Sequence, residues 1–224
     1  MIALSYSRLN QYELCPCKFK AQYITKDYPD DGDNPNFVRG SNIHKQGENY
    51  ILFKKGNRLE PPQMGVEMMN TVPIIDALFN EYPLVLPEQK LSINTKFNKC
   101  DWFDKSTMFR AILDLICIGE RKAFLGDFKT GKMRKYDAKP TGQLRLAAMF
   151  TFLHHPKIEE VETAYLFVDH KKADRHCFTR DELEDMKKTF RNSFDTVNTD
   201  QEFAPKKNSY CDWCMVRPDQ CPHK

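Results

Sequence analysis

The sequence predicts an α/β fold: a central mixed sheet that contains a three-strand meander, flanked by helices. Three observations lead there. Apolar residues recur at helical spacing through the first eighty residues. From residue 88 the pattern becomes alternating, then densely apolar, and two of the apolar runs are joined by the hairpin-sized "IGERK". Beyond residue 131, helix, strand and helix follow one another before an irregular tail. The 224 residues are enough for a single domain with a sizeable core. We divide it into a helical part (1–80), a sheet core that carries the chemistry (88–170) and a C-terminal helix with a cysteine tail (179–224).

Each element has a local reason. Ser7 is placed to cap a short helix, "RLNQYELC", and Pro16 suits the first turn of a second, "PCKFKAQYI". "YPDDGDNPN" (28–36) crowds Asp, Asn, Gly and Pro into a loop. "FVRGSNIHKQGENYILFKK" is helical, with Ile43, Gly47, Tyr50 and Ile51 along one side. After the loop "GNRLEPPQ", "VEMMNTVPIIDALFNEY" is a helix kinked at Pro73. "EQKLSINTKFN" alternates as a half-exposed strand does, whereas "MFRAILDLICIG" and "KAFLGDFKT" are dense enough for central strands. "TGQLRLAAMFTFLHH" is a helix with Leu144, Ala147, Ala148 and Phe152 on one side, and "VETAYLFVDH" a further strand. Thr179 with Glu182 three residues on forms a capping box for the last helix. His154 and His155, at a helix end, are placed to complement its dipole rather than bind metal.

Composition narrows the function. Hydrophobic residues at 41% and charged residues at 29% are ordinary for a globular protein. A net charge of +3 means that any nucleic-acid contact must rest on a local basic patch. The N-terminus lacks the basic and apolar regions of a secretory signal, and no apolar stretch is long enough to span a bilayer. A cytoplasmic protein without a membrane partner is expected. Its eight cysteines should then not form disulfides, and some of them should bind metal.

The informative stretch is "FLGDFKTGK". Period-two geometry puts Asp127 and Lys129 on one face of a strand. A hairpin turning near Glu120 brings Asp114 close to Gly126 and Asp127, so two carboxylates and a lysine converge at one end of two adjacent strands. Alone, a D-x-K triplet reads as an ion pair on a solvated face. Paired carboxylates, however, repel unless a divalent cation sits between them, and hard oxygen ligands suit Mg²⁺ or Mn²⁺. A neighbouring lysine can orient water or neutralise a phosphorane-like transition state. Thr130 and Gly131 end the strand, and Lys132, Arg134, Lys135 and Lys139 follow as a cationic loop suited to DNA phosphates.

The stretch "RAILDLICIGERKAFLGDFKTGK…GQLRLAAM", together with "LSYSRLNQYELCPCKFKAQYI" and "RGSNIHKQGE", resembles the RecB-like exonuclease branch of the PD-(D/E)xK nuclease superfamily. CRISPR-associated RecB-like nucleases, the AddB nuclease domain and phage exonucleases belong to that branch. The resemblance implies a restriction-endonuclease-like core. Asp114 and Asp127 match its carboxylates, Lys129 its lysine, Gln143 its helix glutamine, and His44 a histidine that acts as an extra metal ligand. It further implies that the Phe128 carbonyl assists at the metal. Ala111 and Ala147 depart from the pattern, where glycine and an aromatic residue are usual.

The tail "CDWCMVRPDQC" offers Cys211, Cys214 and Cys221. Three thiolates need a fourth ligand. His223 would complete a local Zn²⁺ site, and Cys15 would complete a four-cysteine set. One form of the RecB-like branch joins an N-terminal Cys-Pro cysteine to three C-terminal ones around a [4Fe-4S] cluster, which Cys15-Pro16 and this tail resemble. Cys17 competes for the N-terminal role. Cys100, Cys117 and Cys177 read as packing residues. The expected activity is therefore metal-dependent hydrolysis of DNA from free ends, in phage-type recombination, replication and repair or in CRISPR adaptation. A homo-oligomer or a recombination or adaptation partner protein fits that setting, in a prokaryotic cell or a phage-infected host. The alternatives are a DNA-end-binding protein with a vestigial site and a zinc-tailed endonuclease.

Overall fold

A computed structural model of the chain describes residues 1–28, 34–131 and 142–223. Five strands form one sheet in chain order: β1 (Leu84–Asn94), β2 (Thr107–Ile118), β3 (Lys122–Lys129), β4 (Glu160–Phe167) and β5 (Lys172–Thr179). The first three make the expected antiparallel meander. β4 lies parallel to β3, which requires a crossover, and α6 (Gly142–His154) supplies it. β5 returns antiparallel to β4, so the sheet is mixed.

β5 is the strand that the sequence reading does not contain. "KADRHCFT" is largely polar and half-exposed, as an edge strand blunted by charges is, so its pattern resembles a loop.

Helices cover both faces. On one side α1 (Tyr6–Leu14), α6 and α7 (Leu183–Thr199) meet the sheet. α7 contributes Met186, Phe190, Phe194 and Val197, a stripe at helical spacing. α6 is buried on most of its circumference because it lies between the sheet and the other two helices. On the other side α3 (Pro35–Lys54) and α5 (Val72–Glu81) bring Ile43, Tyr50, Ile51, Ile75 and Leu78 against Leu115, Phe124, Phe128 and Leu166.

Several local expectations change. The cap of α1 is Ser5, whose Oγ accepts the Arg8 amide at 3.3 Å, and Ser7 lies inside the helix. The stretch 66–82 is two helices, α4 (Val66–Met69) and α5, with Pro73 at the start of the second; a proline fits a first turn better than a kink. Pro16 does open α2 (Pro16–Phe19), and the Thr179–Glu182 capping box is present. The loop at 28–36 lies mostly outside the described residues, and α3 begins at Pro35. Burial pulls the His154 pKa down to about 4, with help from Lys99, and His155 is lowered for the same reasons. A lowered pKa disfavours the imidazolium form that would complement a helix dipole.

Candidate active site

The site begins where the sheet comes apart. β2 and β3 pair only from Leu115 opposite Gly126 to Ile118 opposite Ala123. One step further, the same register sets Asp114 opposite Asp127, and there the ladder stops. The Phe128 amide donates to Asp114 Oδ2 at 2.9 Å instead of joining it. Beyond the gap, β2 meets the N-terminal segment: the Leu4 amide donates to the Met108 carbonyl and the Arg110 amide to the Leu4 carbonyl, at 2.9 and 2.8 Å. The result is a notch in the sheet with Asp114 at its apex.

β1 adds a third carboxylate. Pro87 pairs with Leu115 and Gln89 with Leu113, so Glu88 stands opposite Asp114. Its φ of 47° lies in the left-handed region that non-glycine residues seldom adopt, a kind of strain that gathers at functional sites. Glu88, Asp114 and Asp127 thus form one row across three strands. Glu88 was not singled out from the sequence.

α3 brings His44 to this row, with Nδ1 3.1 Å from Asp114 Oδ1. The donor atoms of His44, Glu88 and Asp114 all lie within 4.8 Å of one another. α3 can come so close because Gly47 has no side chain: a Cβ there would stand 2.6 Å from the ring of Phe128. That ring is buried and meets His44 edge-on at 6.1 Å.

Asp127 stands apart from the His44 group and faces α6. Its Oδ1 accepts from Gln143 Nε2 at 2.6 Å, and its Oδ2 pairs with Lys129 Nζ at 2.7 Å. Lys129 also donates to Gln143 Oε1 at 3.0 Å and lies over the Tyr165 ring at 5.0 Å. Asp127, Lys129 and Gln143 therefore hold one another in a closed triangle.

The electrostatics are those of crowded negative charge. Burial raises the Asp127 pKa to about 6; Lys129 opposes the rise and Asp114 adds to it. Glu88 is also raised, by burial and then by Asp114. Burial lowers the His44 pKa, but its hydrogen bond to Asp114 and the charges of Asp114, Asp127 and Glu88 outweigh that and leave it raised. A divalent cation would relieve the repulsion and release protons, and the donor set of carboxylate oxygens with one imidazole fits such a cation.

Beyond Lys129, Gly131 takes φ 97°, a turn suited to glycine. Its amide donates to Asp169 Oδ2 at 2.7 Å, and Asp169 is itself paired with Arg39. Lys132, Arg134, Lys135 and Lys139 lie outside the described residues. Two clefts, of about 600 and 660 Å³, share Ile112, Asp114 and Lys129, so the notch opens on both sides.

The cysteines gather at the far end of α1. Cys15, Cys17, Cys211, Cys214, Cys221 and His223 line one small cavity. The Lys206 amide donates to Cys15 Sγ at 3.5 Å and the Asn208 amide to Cys211 Sγ at 3.3 Å. Cys17 Sγ differs, donating to the Gln220 carbonyl at 3.6 Å. Cys117 is buried in β2, as expected of a packing residue, whereas Cys177 is exposed on β5.

Residues 79–222, more than half of the chain, match the family model of the PD-(D/E)XK nuclease superfamily. Among solved structures the chain is similar to SSO0001, with a TM-score of 0.51, 14% identity, and 98% of this chain and 87% of that one covered. It is likewise similar to a proposed exonuclease from Eubacterium rectale, with a TM-score of 0.55, 11% identity, and 95% and 86% covered. A comparison with curated protein sequences gave no match. At such identities the structural likenesses concern the fold, and the fold, the notch and the family match lead to one conclusion: this chain belongs to the PD-(D/E)XK nuclease superfamily.

Proposed function

We propose that the protein is a DNA exonuclease that uses Mg²⁺ or Mn²⁺ and acts from free DNA ends. The observation that carries this reading is the row Glu88, Asp114 and Asp127 at the open notch, with Lys129 beside it. His44, Glu88 and Asp114 would hold the metal, with Asp127 and the Phe128 carbonyl as further candidate ligands. The metal, once bound, supplies Lewis-acid polarisation of the scissile phosphate and a more acidic water.

The chain's own groups do the rest. Lys129 Nζ, fixed by Asp127 and Gln143, presents a positive charge where charge builds up on the phosphorane-like transition state. Gln143 keeps that ammonium from swinging toward solvent. The 132–139 basic stretch is assigned to the phosphates of the bound strand. The setting proposed is phage-type recombination, replication and repair or CRISPR adaptation, inside a prokaryotic cell or an infected host. In the described residues no helix is long and apolar enough to cross a membrane.

For the cysteine cavity we propose a [4Fe-4S] cluster on Cys15, Cys211, Cys214 and Cys221. Amide donors to two of these sulfurs suit thiolates, whereas Cys17 is placed as a donating thiol.

The test is incubation of the purified protein with Mn²⁺ and end-labelled linear DNA, beside a closed circular control. Loss of label from the linear DNA only, abolished by Asp127→Ala, is expected. Robust cleavage by Asp127→Ala overturns the site, and equal attack on circles overturns the exonuclease part.

A further inference from the structure

The 600 Å³ cleft has a floor of carboxylates at one end and an aromatic wall at the other. Trp102 lines it, together with Tyr6, Arg110 and Ile112. Trp102 and Phe103 belong to the connection between β1 and β2. Phe103 is 84% exposed and Ile112, next to the apex of the notch, 48% exposed. Adjacent large apolar groups left in water beside a polar site mark a contact surface.

The guanidinium of Arg110 lies against both rings, 5.6 Å from each centroid. Its Nε is buried without a hydrogen-bond partner, and among the described residues no carboxylate forms an ion pair with it. Arg110 and Ile112 share one face of β2 at alternate positions, and Asp114 follows two residues on. Along the strand Arg110 is about 13 Å from Asp114, at ~3.3 Å per residue. A cation held against two aromatic rings, with exposed Ile112 between it and the site of hydrolysis, fits unpaired bases. Their faces stack on aromatic rings and guanidinium planes, and their phosphates seek a cation. A base pair offers no free face to such a surface except at a terminus.

We propose that Trp102, Phe103 and Arg110 form a stacking platform for unpaired bases of the strand whose phosphate reaches Asp114. This inference rests on the nuclease reading and specifies its substrate as single-stranded DNA or a frayed end.

The two tryptophans of the chain, Trp102 and Trp213, make the test direct. In Trp213→Phe protein kept in EDTA, a single-stranded oligothymidylate should quench the Trp102 fluorescence. An abasic oligonucleotide of equal length, or a relaxed closed circular duplex, should not. Trp102→Ala and the exposed Phe103→Ala should each weaken oligothymidylate binding roughly five- to one-hundred-fold, the contribution of one stacked base. Trp102→Phe should restore most of it. Unquenched Trp102 and unchanged affinity in both alanine variants overturn the platform, while Mn²⁺-dependent loss of label in the same preparations would leave the nuclease reading standing. Quenching and weakened variants without cleavage of any DNA would do the reverse.

Discussion

Gly47→Ala should uncouple activity from stability. The added methyl would stand 2.6 and 2.9 Å from two atoms of the Phe128 ring. Ordinary contact begins near 3.4 Å, so helix and ring must separate by about 0.8 Å, the difference between 3.4 and 2.6 Å. The ring is 1% exposed and has little room to yield, so overpacking should cost about 1–3 kcal/mol. Exchanging a helix-interior glycine for alanine returns about 1 kcal/mol, leaving a net loss of about 0–2 kcal/mol. His44 rides on the same helix one turn earlier, 3.1 Å from Asp114. A shift approaching 1 Å there should lower the cleavage rate about 100-fold and weaken Mn²⁺ binding. Gly40→Ala is the control: it lies on the same helix, but its Cβ would have no neighbour nearer than Thr130 Oγ1 at 4.0 Å. It should gain up to about 1 kcal/mol and keep its activity. Urea unfolding and end-label release on both variants decide the matter. Gly47→Ala protein with wild-type rate and Mn²⁺ affinity would refute the claim that close approach of α3 sets the site.

His44→Ala should weaken Mn²⁺ binding while leaving the fold intact, and excess Mn²⁺ should restore part of the activity; titration calorimetry and circular dichroism check this. The raised pKa values of Asp127, at about 6, and of His44 and Glu88 mean that metal binding must expel protons, so Mn²⁺ affinity should fall as pH drops through 6. For Asp127 the metal-free protein should show the opposite trend, since the folded state retains a proton that the unfolded state has lost. Its contribution to stability is present below the ordinary carboxylate range and is lost as pH rises through about 6, which urea titrations across that window can follow. Anaerobically purified protein should be brown and contain iron and sulfide. Cys15→Ala should lose the colour and Cys17→Ala keep it, whereas one zinc without iron, with Cys15→Ala harmless and His223→Ala damaging, would overturn the cluster.

What the sequence made legible was what short-range geometry controls. Asp127 and Lys129 share a face because strands have period two, and Asp114 meets Asp127 because only Gly119, Glu120 and Arg121 separate β2 from β3. Glu88 stayed hidden because its place depends on the register of β1 against β2 across an intervening connection of twelve residues. A proline and a glutamate breaking an apolar run at 87–88 were the one local trace of it. The tail shows the same limit from another side. With few apolar residues, it has little to order it by burial alone. Yet Tyr12 donates to Asp200 at 2.7 Å, Phe203 stacks on Phe19 at 6.3 Å, and Asn198 bonds the backbone of Ile2. These contacts link residues nearly two hundred apart, and only the folded chain brings them together. They already tie the N-terminal segment to α7 and the start of the tail. A cluster on Cys15 and the three tail cysteines would therefore act mainly on residues 206–221 and on the α1–α2 junction, and the hydrogen bonds at Asn198 and Asp200 should hold Leu4, and with it one wall of the notch, even in its absence.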